Sequence, residues 1–311
     1  MRASGQSGRR VQKSDVIRKG NIGFLGLGAM GEPMARVLGA AGYTVTACAH
    51  RNREPIERLR TDGVIEAVNP AAVAAASDVV ITCVPDAPQV EEVIFSERGA
   101  IHGAHPGTLF IDMSTISPIA SRELAERLHT AGHRFVDAPV SGGPVRAAAG
   151  TLAIMVGADP SEYRQAEPIL KAMGTPHHIG PVGMGETAKL VNQILIASIM
   201  IANAEALTFA KKAGADIGAV REVIAAATGS NYLLEQWLPK TWFSGTFEGG
   251  FALDLLRKDL NAALDAARAM KLAMPATSFA SQLYTVQSAE GDGARDYSVV
   301  AKFYERIAGE S

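Results

Sequence analysis

The turn Gly26-Leu27-Gly28-Ala29-Met30-Gly31 follows directly on the apolar run Ile22-Gly23-Phe24-Leu25 and opens a stretch of helical periodicity. In a strand–turn–helix of this kind the first glycine makes the tight turn and the second lets the backbone approach a pyrophosphate. The third permits close helix–strand packing, while the helix N-terminus offers unpaired N–H groups to the phosphates. Gly26, Gly28 and Gly31 fit those roles, with Leu27, Ala29 and Met30 supplying the backbone between them. The glycine spacing alone is weak; the strand before it and the helix after it carry the reading of a dinucleotide site over a merely structural turn.

From residue 21 to about 183, short β-branched runs alternate with amphipathic segments. Strands are expected at 21–25, 44–49, 78–83, 108–112, 133–137 and 152–157, with helices at 32–41, 70–76, 90–94 and 118–131 among them. That alternation predicts a mostly parallel, doubly wound α/β sheet covered by helices, a Rossmann-like unit. Pro33 in a first helical turn, Gly42 after a last one, and Ser117 before Pro118 agree with it. After Gly185 the strand signals stop. Residues 186–213 lack proline and glycine and predict one helix of roughly 28 residues, about 42 Å long. Further helices follow at 216–227, 253–270, 276–287 and 297–307. The expected organisation is a tail over 1–20, a dinucleotide-binding domain over 21–183, and an all-helical C-terminal domain over 184–311 that includes the long connecting helix.

With 47% hydrophobic and 20% charged residues, the 311-residue chain can bury a sizeable core, which excludes disordered and fibrous classes. A net charge of -2 leaves no electrostatic case for nucleic acid. The most apolar helical stretch, 194–202, is short beside the about 20 residues of a membrane span, so no membrane partner is expected. Cys48 and Cys83 each sit in an apolar strand-like run and read as small buried hydrophobes of a reducing, cytoplasmic protein. The 7 histidines show no metal-ligand spacing. Residues 1–20 are basic and lack the apolar stretch of a secretory signal; a disordered tail or upstream start is the plainer reading, a transit peptide the other.

An NAD-selective site usually places a carboxylate about 20 residues past the glycine turn. Here the second strand ends Ala47-Cys48-Ala49-His50-Arg51-Asn52-Arg53, with no acid before Glu54. Arg51 and Arg53 suit a 2′-phosphate, which favours NADP over NAD, or else they solvate a loop. Val84-Pro85 and Ser114-Thr115, at the ends of later strands, are placed to border a nicotinamide ribose, with Gln89 just beyond. A second constellation surrounds Lys189, which follows the glycine-spaced turn Gly180, Gly183, Gly185 and shares a helix face with Asn192 and Gln193. A lysine buried where two domains meet can give or take the proton that accompanies hydride transfer, and an amide beside it can orient a hydroxyl. The alternative is a lysine snorkelling from a helix start. In Asp137-Ala138-Pro139-Val140-Ser141-Gly142-Gly143, small residues after a strand can form a nest of N–H groups, with the Ser141 hydroxyl added, for a substrate carboxylate, or simply a turn. Lys258-Asp259, on an amphipathic helix, reads as a solvated pair.

These segments resemble the β-hydroxyacid dehydrogenases, the family of 3-hydroxyisobutyrate dehydrogenase and tartronate semialdehyde reductase. The similarity runs from about residue 21 to the C-terminus, through residues 23–31, 137–143, 180–192 and 258–260. The resemblance implies a reductase interconverting a small semialdehyde acid and its 3-hydroxy acid with NADP or NAD. In it Lys189 is the general acid/base and Asn192 positions the substrate. Ser141, Gly142 and Gly143 bind the substrate carboxylate, while Thr115 and Lys258 stand by the nicotinamide. It also implies a homodimer or homotetramer built on the long helix. Gln193 stands where the 3-hydroxyisobutyrate enzymes tend to have a second Asn, and residues 182–193 look closer to the tartronate semialdehyde group. The longer 6-phosphogluconate dehydrogenases place His where Asn192 stands, and imine reductases usually lack the lysine. Glyoxylate or succinic semialdehyde reduction, and a non-catalytic dinucleotide-binding interaction protein on the same fold, are the alternatives.

Overall fold

A computed structural model describes residues 20–248 and 250–309; apart from Gly20, the expected N-terminal tail lies outside them. The chain begins with β1 (Asn21–Leu25), α1 (Gly31–Ala40), β2 (Thr44–Ala47), α2 (Glu54–Thr61), β3 (Ile65–Glu66), α3 (Pro70–Ala75) and β4 (Val79–Thr82). It continues through α4 (Ala87–Phe95), β5 (Leu109–Asp112), α5 (Pro118–Thr130), β6 (Arg134–Asp137), β7 (Val140–Ser141), α6 (Gly143–Ala148), β8 (Leu152–Gly157), α7 (Pro160–Met173) and β9 (Gly174–Gly180). The rest is helical: α8 (Met184–Lys212), α9 (Ile217–Ala225), α10 (Leu253–Ala269), α11 (Pro275–Gln287) and α12 (Ala301–Ile307).

The sheet runs in the order β3-β2-β1-β4-β5-β6-β8-β7, with β9 beside β8. From β3 to β6 every pairing is parallel; β8 then pairs antiparallel to β6 and β7, and parallel to β9. Parallel strands are covered on both faces, so their side chains stay apolar at successive positions. Phe24, Ile81, Ile111 and Val136 enter one core, while Leu25, Val80, Phe110 and Phe135 enter the other. A third core forms around α8, where Ala197, Met200, Ala204 and Leu207 meet Leu253, Leu256 and Leu260 of α10 and Tyr284 of α11.

The α/β class, the doubly wound order and the helical C-terminal part match the expectation, with differences that have identifiable causes. The second strand stops at Ala47 rather than residue 49, because the chain there turns away toward Arg51. Among the elements without an expected counterpart, α2, β3, α6 and β7 are short or polar. Pro168 lies inside α7 and interrupts its periodicity, since an internal proline removes a helix hydrogen bond. The strand β9, Gly-Thr-Pro-His-His-Ile-Gly, is largely exposed at the sheet's edge and carries no apolar alternation. The expected helix 297–307 is a tight turn at Tyr297–Val300 followed by α12.

The helix α8 begins two residues before its expected start and spans 29 residues. By length and composition it could cross a bilayer, contrary to the short apolar stretch read from 194–202. Its buried positions, from Lys189 through Ala197 and Ala204 to Thr208, instead pack on the sheet and the surrounding helices.

Candidate functional site

The glycine turn between β1 and α1 divides its three glycines by what surrounds them. Gly26 has φ +105°, and a Cβ there would strike the Cys83 carbonyl and come within 2.8 Å of Val84 Cγ1. A Cβ on Gly31 would strike the Gly26 carbonyl and the Phe24 ring at 3.0 Å. Around Gly28 nothing lies within 4 Å, so its backbone faces open space. The N-cap position, Met30, offers no side-chain acceptor to the first-turn amides of α1. Glu32, the acid of that turn, is drawn away by Arg58 and Arg36, and the Arg58 hydrogen bonds hold its carboxyl below the usual carboxylate range. Open backbone at Gly28, at a helix start with no side-chain cap, fits an anionic pyrophosphate, although the Glu32 amide already donates to the Gly28 carbonyl at 3.0 Å.

Beyond the carboxyl ends of β2 and β3 lies a cavity of about 520 Å³ lined by Ala49, Arg53, Arg60, Glu66, Ala67 and Val68. Arg53 Nη2 reaches Glu66 Oε1 at 2.7 Å and Arg60 Nη1 reaches Glu66 Oε2 at 3.4 Å. Arg51 is exposed and makes no ion pair among the described residues. Sequence reasoning missed Glu66, because β3 brings it back to the second strand from outside the motif window. Burial pushes both thiols up, Cys48 to about 11 and Cys83 to about 12, so neither is a nucleophile near neutral pH.

A set of contacts runs from the strand ends beside the glycine turn to Asn192, one turn past Lys189. The Val84 amide donates to Ser114 Oγ at 3.0 Å, which ties the β4 end to the β5 end. Asp112 Oδ1 accepts from Thr82 Oγ1 at 2.7 Å and from the Ser114 amide at 3.1 Å. Pro85 is exposed beside Val84, and Gln89 is half-buried in the first turn of α4. The Thr115 carbonyl accepts from Lys258 Nζ, which also stands 2.8 Å from Asp259 Oδ1. Asp259 Oδ2 accepts from Gln193 Nε2 at 2.7 Å, and Gln193 Oε1 accepts from Asn192 Nδ2 at 2.9 Å. The expected solvated pair Lys258-Asp259 is therefore corrected: Asp259 is 1% exposed, and Lys258 crosses to the sheet's edge. Sequence could not show that contact, which joins residues 143 apart.

Lys189 is 6% exposed, with Nζ 6.0 Å from the centre of the Phe251 ring. Burial lowers its pKa; Asp259, and Glu186 where ionised, oppose that, and Lys258 adds to it. The snorkelling alternative does not hold, because the ammonium ends inside the protein.

Asp137, at the end of β6, turns away from solvent. Its Oδ1 accepts from the Gly183 amide at 2.7 Å and its Oδ2 from the Glu186 amide at 2.9 Å, so it caps α8. Gly157 and Gly185 are needed there, since a Cβ on either would collide with the Asp137 carboxylate. Ser141 lies in β7, paired with Ala153 of β8, the strand on which α8 packs. Gly142 and Gly143 have φ +137° and +68°, and Arg146, absent from the sequence reading, lays its side chain over Gly142. A signal for the buried acids did exist: Thr82, Asp112 and Asp137 end three neighbouring strands in one register.

Comparison with known proteins agrees with this geometry. Residues 21–191 match the family described as the NAD binding domain of 6-phosphogluconate dehydrogenase. Residues 183–304 match that described as the NAD-binding domain of NADP-dependent 3-hydroxyisobutyrate dehydrogenase. The chain is 38% identical to 2-(hydroxymethyl)glutarate dehydrogenase of Eubacterium barkeri, over 93% of this chain and 96% of that one. It is 37% identical to 2-hydroxy-3-oxopropionate reductase of Escherichia coli, over 92% and 98%. Among solved structures, Mycobacterium tuberculosis 3-hydroxyisobutyrate dehydrogenase with L-serine superposes with a TM-score of 0.85 at 35% identity, covering 91% of this chain and 98% of that one. The chain belongs to the β-hydroxyacid dehydrogenase family. It is an NAD(P)-dependent oxidoreductase of small hydroxy acids.

Burial of Asp137 outweighs the backbone hydrogen bonds it accepts and, with the nearby charge of Asp112, raises its pKa from 3.8 to about 6. A carboxyl whose pKa is raised on folding stabilises the fold while protonated, and that contribution is lost as pH rises through about 6. The shift corresponds to about 3 kcal/mol. Relative to Asp137→Asn, the unfolding free energy of the wild type should therefore fall between about pH 4 and 7. Denaturant titrations at several pH values measure it, and a pH-independent difference would contradict the assignment.

Proposed function

We propose that this enzyme reduces a small semialdehyde acid to its 3-hydroxy acid, and reverses the reaction, with Lys189 as general acid and base. The observation that carries this reading is the burial of Lys189 one turn before Asn192, where the contacts from the strand ends finish. The bound nicotinamide supplies or accepts the hydride. Reduction leaves negative charge on the former carbonyl oxygen, and the Lys189 ammonium donates its proton there; in oxidation the neutral amine takes it back. A lowered pKa serves both directions, because burial weakens the lysine's hold on the proton it must give and take. Asn192, fixed through Gln193 to Asp259, orients the substrate hydroxyl. Ser141 and the amides of Gly142 and Gly143 hold the carboxylate.

In this reading, residues 21–183 form the coenzyme domain and 184–311 the helical domain. Gly26, Leu27, Gly28, Ala29, Met30 and Gly31 take the pyrophosphate. Val84, Pro85, Gln89, Thr115 and Lys258 line the nicotinamide half. The preferred coenzyme is NADP, with Arg51 meeting the 2′-phosphate first, because Glu66 already engages Arg53 and Arg60. The substrate is of the tartronate semialdehyde or 3-hydroxyisobutyrate type, the acids named for the relatives in Escherichia coli and Mycobacterium tuberculosis. Val191 and Leu195, one turn apart on α8, are more than half exposed, which supports a homodimer or homotetramer built on that helix. Free thiols at Cys48 and Cys83 support a reducing, cytoplasmic setting.

Lys189→Ala is expected to lower kcat by about 10²–10⁴-fold while coenzyme affinity stays close to that of the wild type. Stopped-flow turnover and coenzyme fluorescence titration measure the two; a variant that keeps most of its activity removes Lys189 from the role. Tartronate, methylmalonate and succinate semialdehydes and glyoxylate, each assayed with NADPH and NADH, identify the substrate type. Saturation at the lowest concentration by one of the first two supports the reading, whereas turnover confined to glyoxylate or succinate semialdehyde contradicts it. Arg51→Ala should raise the Michaelis constant for NADPH about ten-fold with little change for NADH, as expected when one phosphate contact of a guanidinium is lost. A wild type that prefers NADH would sink the coenzyme assignment.

A further inference from the structure

Glu186 lies one turn before Lys189 on α8 and is 0% exposed. Its Oε2 accepts from the Ile116 amide at 3.2 Å, while Oε1 is buried without a hydrogen-bond partner. That single bond joins the helix of Lys189 to the segment after β5 whose Thr115 carbonyl holds Lys258. Two more acids face Glu186 from the strand ends, Asp112 of β5 and Asp137 of β6, and Asp112 Oδ2 is likewise buried and unpartnered. The cation facing it from α10 is Lys258, already committed to Thr115 and Asp259; Lys189 is the cation on its own helix. From α5, Arg122 approaches the Gly183 position at the helix start. No side-chain salt bridge to Glu186 occurs among the described residues.

We propose that Glu186 is an uncharged positioning residue: it clamps the Lys189 helix to the Ser114–Ile116 segment without adding a negative charge that would hold the lysine proton. The inference rests on Lys189 being the acid/base. Three acids in one dry pocket without a full set of counter-ions are costly to ionise together, and a proton on Glu186 removes one of those charges. Burial and the charges of Asp112 and Asp137 accordingly hold its carboxyl well above the usual range. An anion at this position would raise the Lys189 pKa and oppose the burial that lowers it. As an acceptor Glu186 needs only its carbonyl-like oxygen, which an amide reproduces.

The test compares Glu186→Ala, Glu186→Gln and the wild type by the pH profile of kcat/KM. Glu186→Ala leaves the Ile116 amide without its acceptor and should lower kcat/KM about ten-fold or more, as misplacement near a reacting centre does. Glu186→Gln should recover most of that loss and keep the limb assigned to Lys189 at its wild-type pH. If Glu186 were anionic, Glu186→Gln would move that limb to lower pH by about a unit, since an opposite charge has been removed, and the proposal would be overturned. Wild-type activity in Glu186→Ala would overturn it as well. Should Glu186→Ala fail to fold, the Glu186→Gln profile alone decides, an unmoved limb supporting the proposal and a displaced one rejecting it. Failure of the underlying reading has a different signature, because the same limb would then persist in Lys189→Ala.

Discussion

Lys258 reaches from α10 across to the Thr115 carbonyl at the edge of the sheet, and the same ammonium pairs with Asp259. The helical part and the strand-end loops meet at that group, beside the Ile116–Glu186 bond and the Asp137 cap of α8. On the sheet side it fixes the segment that Ser114 ties to the Val84 amide, and Val84 in turn packs against Gly26 of the glycine turn. On the helical side it leaves Asp259 with its other oxygen on Gln193, which holds Asn192. A surface pair of this kind would contribute little, being screened and entropically costly. Asp259 is buried, so removing either partner would strand a charge in the interior.

The sheet determines where that seam lies. Strands β1, β4, β5 and β6 run parallel, so their carboxyl ends form one edge, the place where open α/β sheets bind ligands. Thr82, Asp112 and Asp137 fall there because they are the last residues of their strands. Asp137 then receives the first amides of α8, whose unpaired N–H groups and dipole favour an anion. With the helix start pinned at Gly183 and Glu186, the helical period places Lys189 one turn further along, facing the same seam. The apolar middle of α8 is also the centre of the third core. The position of Lys189 is thus maintained by hydrophobic burial some way from the chemistry.

The parts of this architecture that were legible in the amino-acid sequence are those with a local cause. The glycine turn depends on three close approaches within a few residues, and both strand order and α8 follow from runs of apolar residues and from the absence of breakers. The proline-broken α7, the polar edge strand β9 and the two-residue strands carry no such signal. Around the site, the burial of Lys189 at the start of the long helix follows the sequence reading, but Lys258-Asp259 read as a solvent-facing pair. Its burial comes from a contact 143 residues distant, and no helical period encodes that. Glu66 was hidden for a similar reason, since only the return of β3 beside β2 sets it against Arg53.

The same long-range contacts decide which influence controls the lysine. Asp259 and Glu186 favour the ammonium, whereas burial and Lys258 favour the free amine. Asp259 gives one oxygen to Lys258 and the other to Gln193, yet its charge remains the strongest one favouring the Lys189 ammonium. A protonated Glu186 contributes no charge. Burial prevails even against the charges of both acids, and the lysine's pKa is lowered. An isolated lysine beside two ionised carboxylates would hold its proton too tightly to exchange it near neutral pH. Burial, opposed by two acids and aided by Lys258, is what lowers the affinity of that lysine for its proton.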